Sequence, residues 1–474
     1  MFKFKIPLYY QIAIIYGLIL FLDRVDITIV NVAIPSIARI FQINIALVDW
    51  VSNAFLIGLS ISIGIATWMG ENYGYKKIFI YSIIGFAIFS IACGFANSFD
   101  QLIIFRLLQG ICGGAIVPAG SAILYMSCEK SEYGKVTNLV FLITLVAPAV
   151  APYLGGLILK YFSYKVLFFI NFPVCIFITI LGIIVIKGQY KFEKSRLDYM
   201  GLILSSTLYI IFFMAISYLS NNNFTYASYM LVITILLTWI LIKIELQQHN
   251  PLIDFKYFKY EFFTKATLVQ LFFQMSHFGS FFIIGLYLQI GLRFSPIDAG
   301  LVIAMQAIGS IIVSVSARKL FYKIGAVVPI CSGLLGIALI TPLILLVRDS
   351  SDIHFACIIM LLRGLCSGWI GTPLFAISLF DENTDKKDVG RINGMFTIAR
   401  QLSISLGIGI SALSISIINH VYQFDYIHKI IGYSDSLRLF STGIILISIF
   451  CVIGAYIAST INNKKVLEII GSKV

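Results

Sequence analysis

The chain has 474 residues; 59% are hydrophobic, only 12% are charged, and the mean hydropathy is +0.96. A soluble domain carries roughly a quarter charged residues, so this composition excludes a soluble enzyme or a nucleic-acid-binding module as the bulk of the chain. The net charge of +12 is read as basic residues gathered in short connections between spans, with no nucleic-acid partner implied.

Apolar runs of about 20 residues, the length that crosses a bilayer as a helix, recur from end to end. They fall at 9–33, 48–69, 78–98, 101–126, 135–159, 165–186, 199–219, 226–246, 266–290, 299–317, 327–347, 354–379, 395–419 and 437–460. The expected fold is an all-α polytopic membrane protein of about 14 transmembrane helices. An even number of spans puts both termini on one face. That face collects roughly 23 Lys and Arg and the other about seven, so both termini are expected in the cytoplasm. The first span has no small-residue cleavage site after it and contains charges, so it reads as retained and not as a signal peptide.

Within that span, Phe21–Pro35 reads FLDRVDITIVNVAIP, with two aspartates and an arginine at membrane depth. Asp23 and Asp26 share one helical face with Val30, and Arg24, Thr28 and Asn31 share a neighbouring one. Ionisable residues persist in a bilayer where they face a bundle interior or a watery cavity. Asp26, and Asp23 after it, are therefore candidate proton-titrating groups, the alternative being a static Asp–Arg pair that holds helices together. After span 2, the stretch Thr67–Lys77 places Glu71, Gly74, Lys76 and Lys77 in a tight loop. Such a loop can brace neighbouring helix ends through charge-assisted hydrogen bonds, or be an ordinary basic cytoplasmic connection.

Arg106 in span 4 begins the face Arg106, Gln109, Gly110, Gly113. Arg106 and Asp26 each lie about six residues, or about 9 Å, below the same membrane surface, which predicts their pairing. In span 5, Pro148 and Pro152 precede Gly155 and Gly156, a composition for a bent, closely packed helix able to hinge. Polar residues elsewhere in spans are Gln274 and His277 (span 9), Arg363 (span 12), and Arg400 with Gln401 (span 13). Gln109, Gln274, His277 and Arg363 are candidate substrate-cavity residues; histidines and arginines at such depth also serve as helix–helix hydrogen bonders.

Leu108–Gly114 (LQGICGG) in span 4 is echoed by Leu362–Gly368 (LRGLCSG) in span 12. A duplicated bundle accounts for this, with residues 1–198 and 247–474 as six-helix halves and 199–246 as two inserted transmembrane helices. The eight cysteines form no CxxC and read as packing residues, with no metal site expected. The link 380–394 reads as a solvated charged loop, and the aromatic residues of the 420–436 loop as interfacial anchors.

Asp26–Pro35 (DITIVNVAIP), Phe105–Gly110 (FRLLQG), Pro148–Gly156 (PAVAPYLGG), Phe168–Pro173 (FFINFP), Gly390–Gly394 (GRING) and Arg400–Leu402 (RQL) occur in this order. Together they resemble the 14-helix drug–proton antiporter branch of the major facilitator superfamily, over nearly the whole chain. The resemblance implies two six-helix bundles working by alternating access, and a proton-transfer role for Arg106. Departures bear on substrate and direction. Thr67, Glu71, Asn72 and Tyr75 replace usual residues of the loop after span 2, and Ala147 and Ala151 replace glycines of the fifth-helix motif. Tyr322 stands where an acid is usual, and Asp23 and Arg24 are charges the pattern does not require.

The expected activity is proton-coupled export of amphipathic small molecules across the bacterial cytoplasmic membrane, with no cofactor and the proton gradient as its energy source. The alternative is a proton-linked carrier of a dedicated solute such as a siderophore or carboxylate, including an importer; Arg363 and Arg400 favour an anionic solute. The expected partners are the small-molecule substrate, protons and the lipid bilayer. The chain shows no HExxH, no GxSG and no GxxxxGK[ST], so neither an intramembrane enzyme nor an ATP-driven pump in one chain is expected.

Overall fold

The structure, a computed structural model, describes residues 6–43, 45–129, 132–186, 197–220, 223–248, 251, 255–378, 389–422 and 433–471. Most of the 380–394 link and of the 420–436 loop lies outside them.

Among the described residues the chain is helical, and every expected span is present. The first bundle contains α1 (Leu8–Phe41), α2 (Ile45–Tyr73), α3 (Tyr75–Phe95), α4 (Phe99–Met126), α5 (Tyr133–Tyr161) and a sixth span made of α6 (Lys165–Phe169) and α7 (Asn171–Val185). The inserted pair is α8 (Tyr199–Ser220) and α9 (Phe224–Glu245). The second bundle contains α10 (Glu261–Leu286), α11 (Pro296–Ile324), α12 (Val327–Ile340), a span made of α13 (Ile353–Gly368) and α14 (Gly371–Ile377), α15 (Val389–Tyr422) and α16 (Tyr433–Ser459). This is a multi-pass membrane protein of two six-helix bundles with two helices between them.

Two spans that read as continuous are broken, and proline explains both. A proline ring clashes with the carbonyl four residues earlier and donates no hydrogen bond. Pro173 therefore ends α6 at Phe169, and Pro373 breaks the helix at Trp369 between α13 and α14. One element was not anticipated. A helix of nine residues, α17 (Asn463–Gly471), follows the last span. Its Asn463 accepts from Val327 N at 3.3 Å and donates to Ile324 O at 3.0 Å, clamping the α11–α12 turn where Gly325 adopts φ +83°.

The halves repeat one packing scheme. A Cβ on Gly110 would lie 2.1 Å from Phe55 O, one on Gly58 2.3 Å from Leu107 O, and one on Gly114 2.4 Å from Leu59 O, so α2 and α4 touch backbone to backbone. In the second half Gly364 meets Gln306 O at 2.1 Å, Gly309 meets Leu361 O at 2.3 Å and Gly368 meets Ser310 O at 2.6 Å. Phe55 to Gln306, Gly58 to Gly309 and Leu59 to Ser310 are each 251 positions apart. The LQGICGG echo is thus the α4–α13 part of a repeated helix pair.

The halves meet through α5 and α11 and through α2 and α15. At the face away from the termini, a Cβ on Gly156 would lie 2.3 Å from Pro296 O and one on Gly300 2.2 Å from Pro152 O. There too Gln289, in a π-helical turn (Tyr287–Gly291) that extends α10, donates to Val32 O at 3.3 Å. The inserted pair docks through α8, which packs on α2 and α15 with Tyr209, Phe213 and Ile216 buried. Helix α9 stays outermost, its Val232, Ile235, Leu236 and Trp239 turned outward as a lipid-facing surface.

Candidate functional site

Asp26 sits in α1 and is completely buried, as are Arg106 and Gln109 one helical turn apart on α4. Arg106 Nη1 donates to Asp26 Oδ2 at 2.5 Å and to Gln109 Oε1 at 2.8 Å, and Gln109 Nε2 donates to Asp26 Oδ1 at 3.3 Å. The pairing expected from depth alone is therefore present. Close packing of α2 on α4 supports the arginine from behind, where Nε donates to Val51 O at 3.0 Å and the guanidinium lies 4.3 Å from the Phe55 ring centre.

A third donor comes from the break between α6 and α7. Asn171, the first residue of α7, donates to Asp26 Oδ1 at 2.7 Å and contacts Ser90 Oγ at 2.9 Å; Ser90 in turn donates to Phe168 O at 2.8 Å. Neither Asn171 nor Ser90 had been assigned a role from sequence, although Asn171 falls in the FFINFP motif. The usable signal was a lone amide two residues before a proline inside an apolar run. Asp26 on α1 thus receives Arg106 and Gln109 from α4 and Asn171 from α7, so three helices meet at one carboxylate. Arg106 Nη2 has no partner among the described residues. The arrangement is a carboxylate whose charge is held by one guanidinium and two amides, sealed from water on all sides.

Asp23 is 6% exposed, and its Oδ1 has no hydrogen-bond partner among the described residues. It lies within Coulombic reach of Arg24 on the same helix and of Arg400 on α15. Arg24 and Arg400 are partly exposed and lie within reach of each other, and the buried Nε of Arg400 is also unpartnered.

The other sequence-predicted residues are elsewhere. Arg363 is fully buried within the second bundle and holds only neutral oxygens: Thr341 Oγ1 at 2.9 Å, Ser276 O at 3.4 Å and Gln306 Oε1. Gln306 Nε2 lies 3.1 Å from His277 Nδ1, and the His277 ring is packed among Phe273, Phe278 and Phe281. Arg363 and Gln109 are matched positions of the repeated motif, so the second half carries a cationic network where the first carries the Asp26 pair. Gln274 is partly exposed on α10, one turn before His277.

In the α2–α3 loop, Gly74 takes φ +96° and its N–H bonds to Gly70 O at 2.9 Å. Lys76 donates to Ile183 O at 3.2 Å, bracing α3 on the end of α7, while Lys77 is exposed and Glu71 partly buried. Pro152, Gly155 and Gly156 are buried; Gly155 packs on Ile29 of α1 and Gly156 on α11. The Pro148 side chain lies outside the described residues, as do those of Asn31, Thr67, Tyr322 and Arg391.

Comparison with known proteins agrees with this architecture. The peptide transporter POT in complex with sulfate has the same fold, with a TM-score of 0.68 at 12% identity over 98% of this chain and 97% of that one. A bacterial homolog of the lysosomal transporter Spinster, inward-facing and unoccupied, gives a TM-score of 0.62 at 13% identity over 98% and 99%. In sequence the chain is 24% identical over 324 residues to the uncharacterized MFS-type transporter YhcA of Bacillus subtilis (strain 168), covering 68% of this chain and 60% of that protein. It is 29% identical over 313 residues to the multidrug export protein EmrB of Escherichia coli (strain K12), covering 64% and 60%. It is 26% identical over 408 residues to the putative multidrug resistance protein MdtD of Enterobacter sp. (strain 638), covering 83% of each. The match thus spans about 60% of the length of YhcA and of EmrB. The family model of the Major Facilitator Superfamily matches residues 16–408, from the first turns of α1 to the middle of α15. With its duplicated six-helix halves and this match across most of its length, the chain belongs to the Major Facilitator Superfamily.

Proposed function

We propose that this protein is a proton-coupled secondary active transporter that exports amphipathic small molecules by alternating access, with Asp26 as the group that takes and releases the proton. The observation that carries this reading is the sealed Asp26–Arg106–Gln109–Asn171 network at membrane depth. An intramembrane carboxylate that serves only packing is costly and replaceable, whereas one that titrates must be ionisable and must change partners. Names of similar proteins, such as multidrug export protein EmrB, support the efflux direction.

Protonation of Asp26 removes the charge that Arg106 pairs with. The contact between α1 and α4 then weakens, which biases the bundle toward a state in which the two halves rock apart on one side. Release of the proton on the other side restores the pair. Each proton moving inward supplies roughly 2.3 kcal/mol per 100 mV of membrane potential, and no cofactor or chemical step on the solute is needed. Arg106 modulates Asp26 through the direct ion pair. Gln109 and Arg363, completely buried inside the bundles, support the helices around the substrate path, and Gln274 and His277, partly exposed, line it. Glu71, Gly74, Lys76 and Lys77, with Pro148, Pro152, Gly155 and Gly156, belong to the contacts that change between states. The halves correspond to residues 1–198 and 247–474, with 199–246 inserted. The protein resides in the bacterial cytoplasmic membrane with both termini inside.

The test is protein in liposomes with a pH-sensitive dye trapped inside and an outward proton gradient imposed. A panel of cationic, neutral and anionic aromatic solutes is added. Solute-dependent, saturable proton movement supports the reading; a panel that moves no protons above protein-free liposomes overturns it.

A further inference from the structure

The charged groups at the middle of α1 remain outside the Asp26 network. Arg24 lies sixteen residues beyond Leu8 in α1, about 24 Å along a helix that spans Leu8–Phe41. Arg400 of α15, in the other bundle, lies within Coulombic reach of it, and Asp23 within reach of both. Tyr16, whose hydroxyl donates to Val117 O at 3.1 Å, and Tyr125 on α4 also lie near them; the nearby Asp26–Arg106 pair is neutral as a unit. Among the described residues, two guanidiniums therefore stand against one carboxylate here, at membrane depth.

These charges do not neutralise each other by contact. Among the described residues neither arginine forms an ion pair, Arg400 Nε is buried without a hydrogen-bond partner, and so is Asp23 Oδ1. Buried polar atoms are almost always satisfied, and guanidiniums without a counter-charge persist in a bilayer where a ligand or water completes them. Arg24 comes from the first bundle and Arg400 from the second, so a group held by both bridges the two halves. The planar guanidinium fork matches a carboxylate or sulfonate and binds it through two parallel N–H donors.

We propose that Arg24 and Arg400 together bind the anionic group of the transported solute, which makes the substrate class amphipathic organic anions, with Asp23 competing for the same two arginines. This rests on the transport reading above for its purpose, but the binding site stands or falls by itself. The competition fixes the sign of each substitution. Removing either arginine weakens anion binding. Removing the charge of Asp23 strengthens it, because both guanidiniums are then free for the ligand.

The experiment is equilibrium dialysis of radiolabelled naphthoate against the full chain in nanodiscs of zwitterionic lipid, with naphthalenemethanol and naphthylmethylammonium as neutral and cationic counterparts. Arg24→Gln and Arg400→Gln are each expected to weaken naphthoate binding by about 10- to 100-fold, the value of a charge-assisted hydrogen bond. Arg24→Lys and Arg400→Lys keep the charge and recover part of the affinity, which excludes misfolding as the cause. Asp23→Asn binds naphthoate more tightly than the wild type, and the neutral probe is indifferent to all five changes. Naphthoate affinity unchanged in both Gln variants overturns the proposal, as does preferred binding of the ammonium probe or no saturable binding of naphthoate. If anion binding follows the arginines while no solute drives proton movement, the transport reading fails and the anion site stands. If only cations drive proton movement, the reverse holds.

Discussion

Replacing Arg106 with Leu leaves a buried carboxylate facing two amides and no counter-charge. Breaking one side of a buried ion pair costs about 3–5 kcal/mol. In this protein the figure falls near the upper end, for two reasons. Arg106 also gives up its bond to Val51 O and its ring contact with Phe55, and no water-exposed path allows Asp26 to rehydrate. The variant Asp26→Asn is milder, because an amide still accepts from Arg106 while the guanidinium keeps Val51 O and Gln109. The double variant Asp26→Leu with Arg106→Leu removes both charges, and replacing a buried pair by apolar residues is close to neutral. A double-mutant cycle on reversible unfolding in bicelles is therefore expected to show each single Leu variant costing about 3–5 kcal/mol and the double variant costing less than either. If the double variant is destabilised by the sum of the single effects, the pair is not energetically coupled and the network as described is wrong.

Asn171→Leu removes the donor at 2.7 Å from Asp26 Oδ1 and orphans Ser90 on one side, so it is expected to cost about 1–3 kcal/mol in the same unfolding assay. Asn171→Asp instead sets a second carboxylate against Asp26 and is expected to slow solute-dependent proton movement more than the Leu change does. Gly156→Ala puts a methyl 2.3 Å from Pro296 O, a clash between backbones that only separation relieves. Spin labels at Tyr161→Cys and Ser295→Cys are expected to report a longer α5–α11 distance in Gly156→Ala than in the wild type, and an unchanged distance contradicts the packing. Gly110→Ala forces α4 off α2 by the same mechanism and is expected to cost about 1–3 kcal/mol; Gly364→Ala, in the repeated position, matches it within error.

The spans were legible because a bilayer imposes one length on all of them, and that length survives any amount of composition noise. The Asp26–Arg106 pair was legible for a related reason: two opposite charges at the same depth in neighbouring helices have few other partners. What could not be read is who completes the network. Asn171 is 145 positions from Asp26 and Ser90 is 81 from Asn171, and a lone amide or hydroxyl in an apolar helix looks the same whether it bonds its own backbone or another helix. The breaks at Phe169 and Trp369 were available in principle from Pro173 and Pro373, each four residues further on. Helix α17 was missed because its first turns carry Asn463, Lys464 and Lys465 and read as a solvated tail. Arg363 looked equivalent to Arg400 in sequence, yet the structure gives Arg363 a full set of neutral oxygens and leaves Arg400 Nε without any.

The most direct measurement of the central claim compares two modes of transport in Asp26→Asn proteoliposomes, using a solute that drives proton movement in the wild type. One mode is proton-driven flux; the other is exchange of labelled for unlabelled solute with no gradient, which needs the solute path and the rocking of the halves but no proton. The account predicts that Asp26→Asn abolishes the first and keeps the second. Full proton-driven flux in the variant would contradict it, and would make the buried aspartate a structural residue.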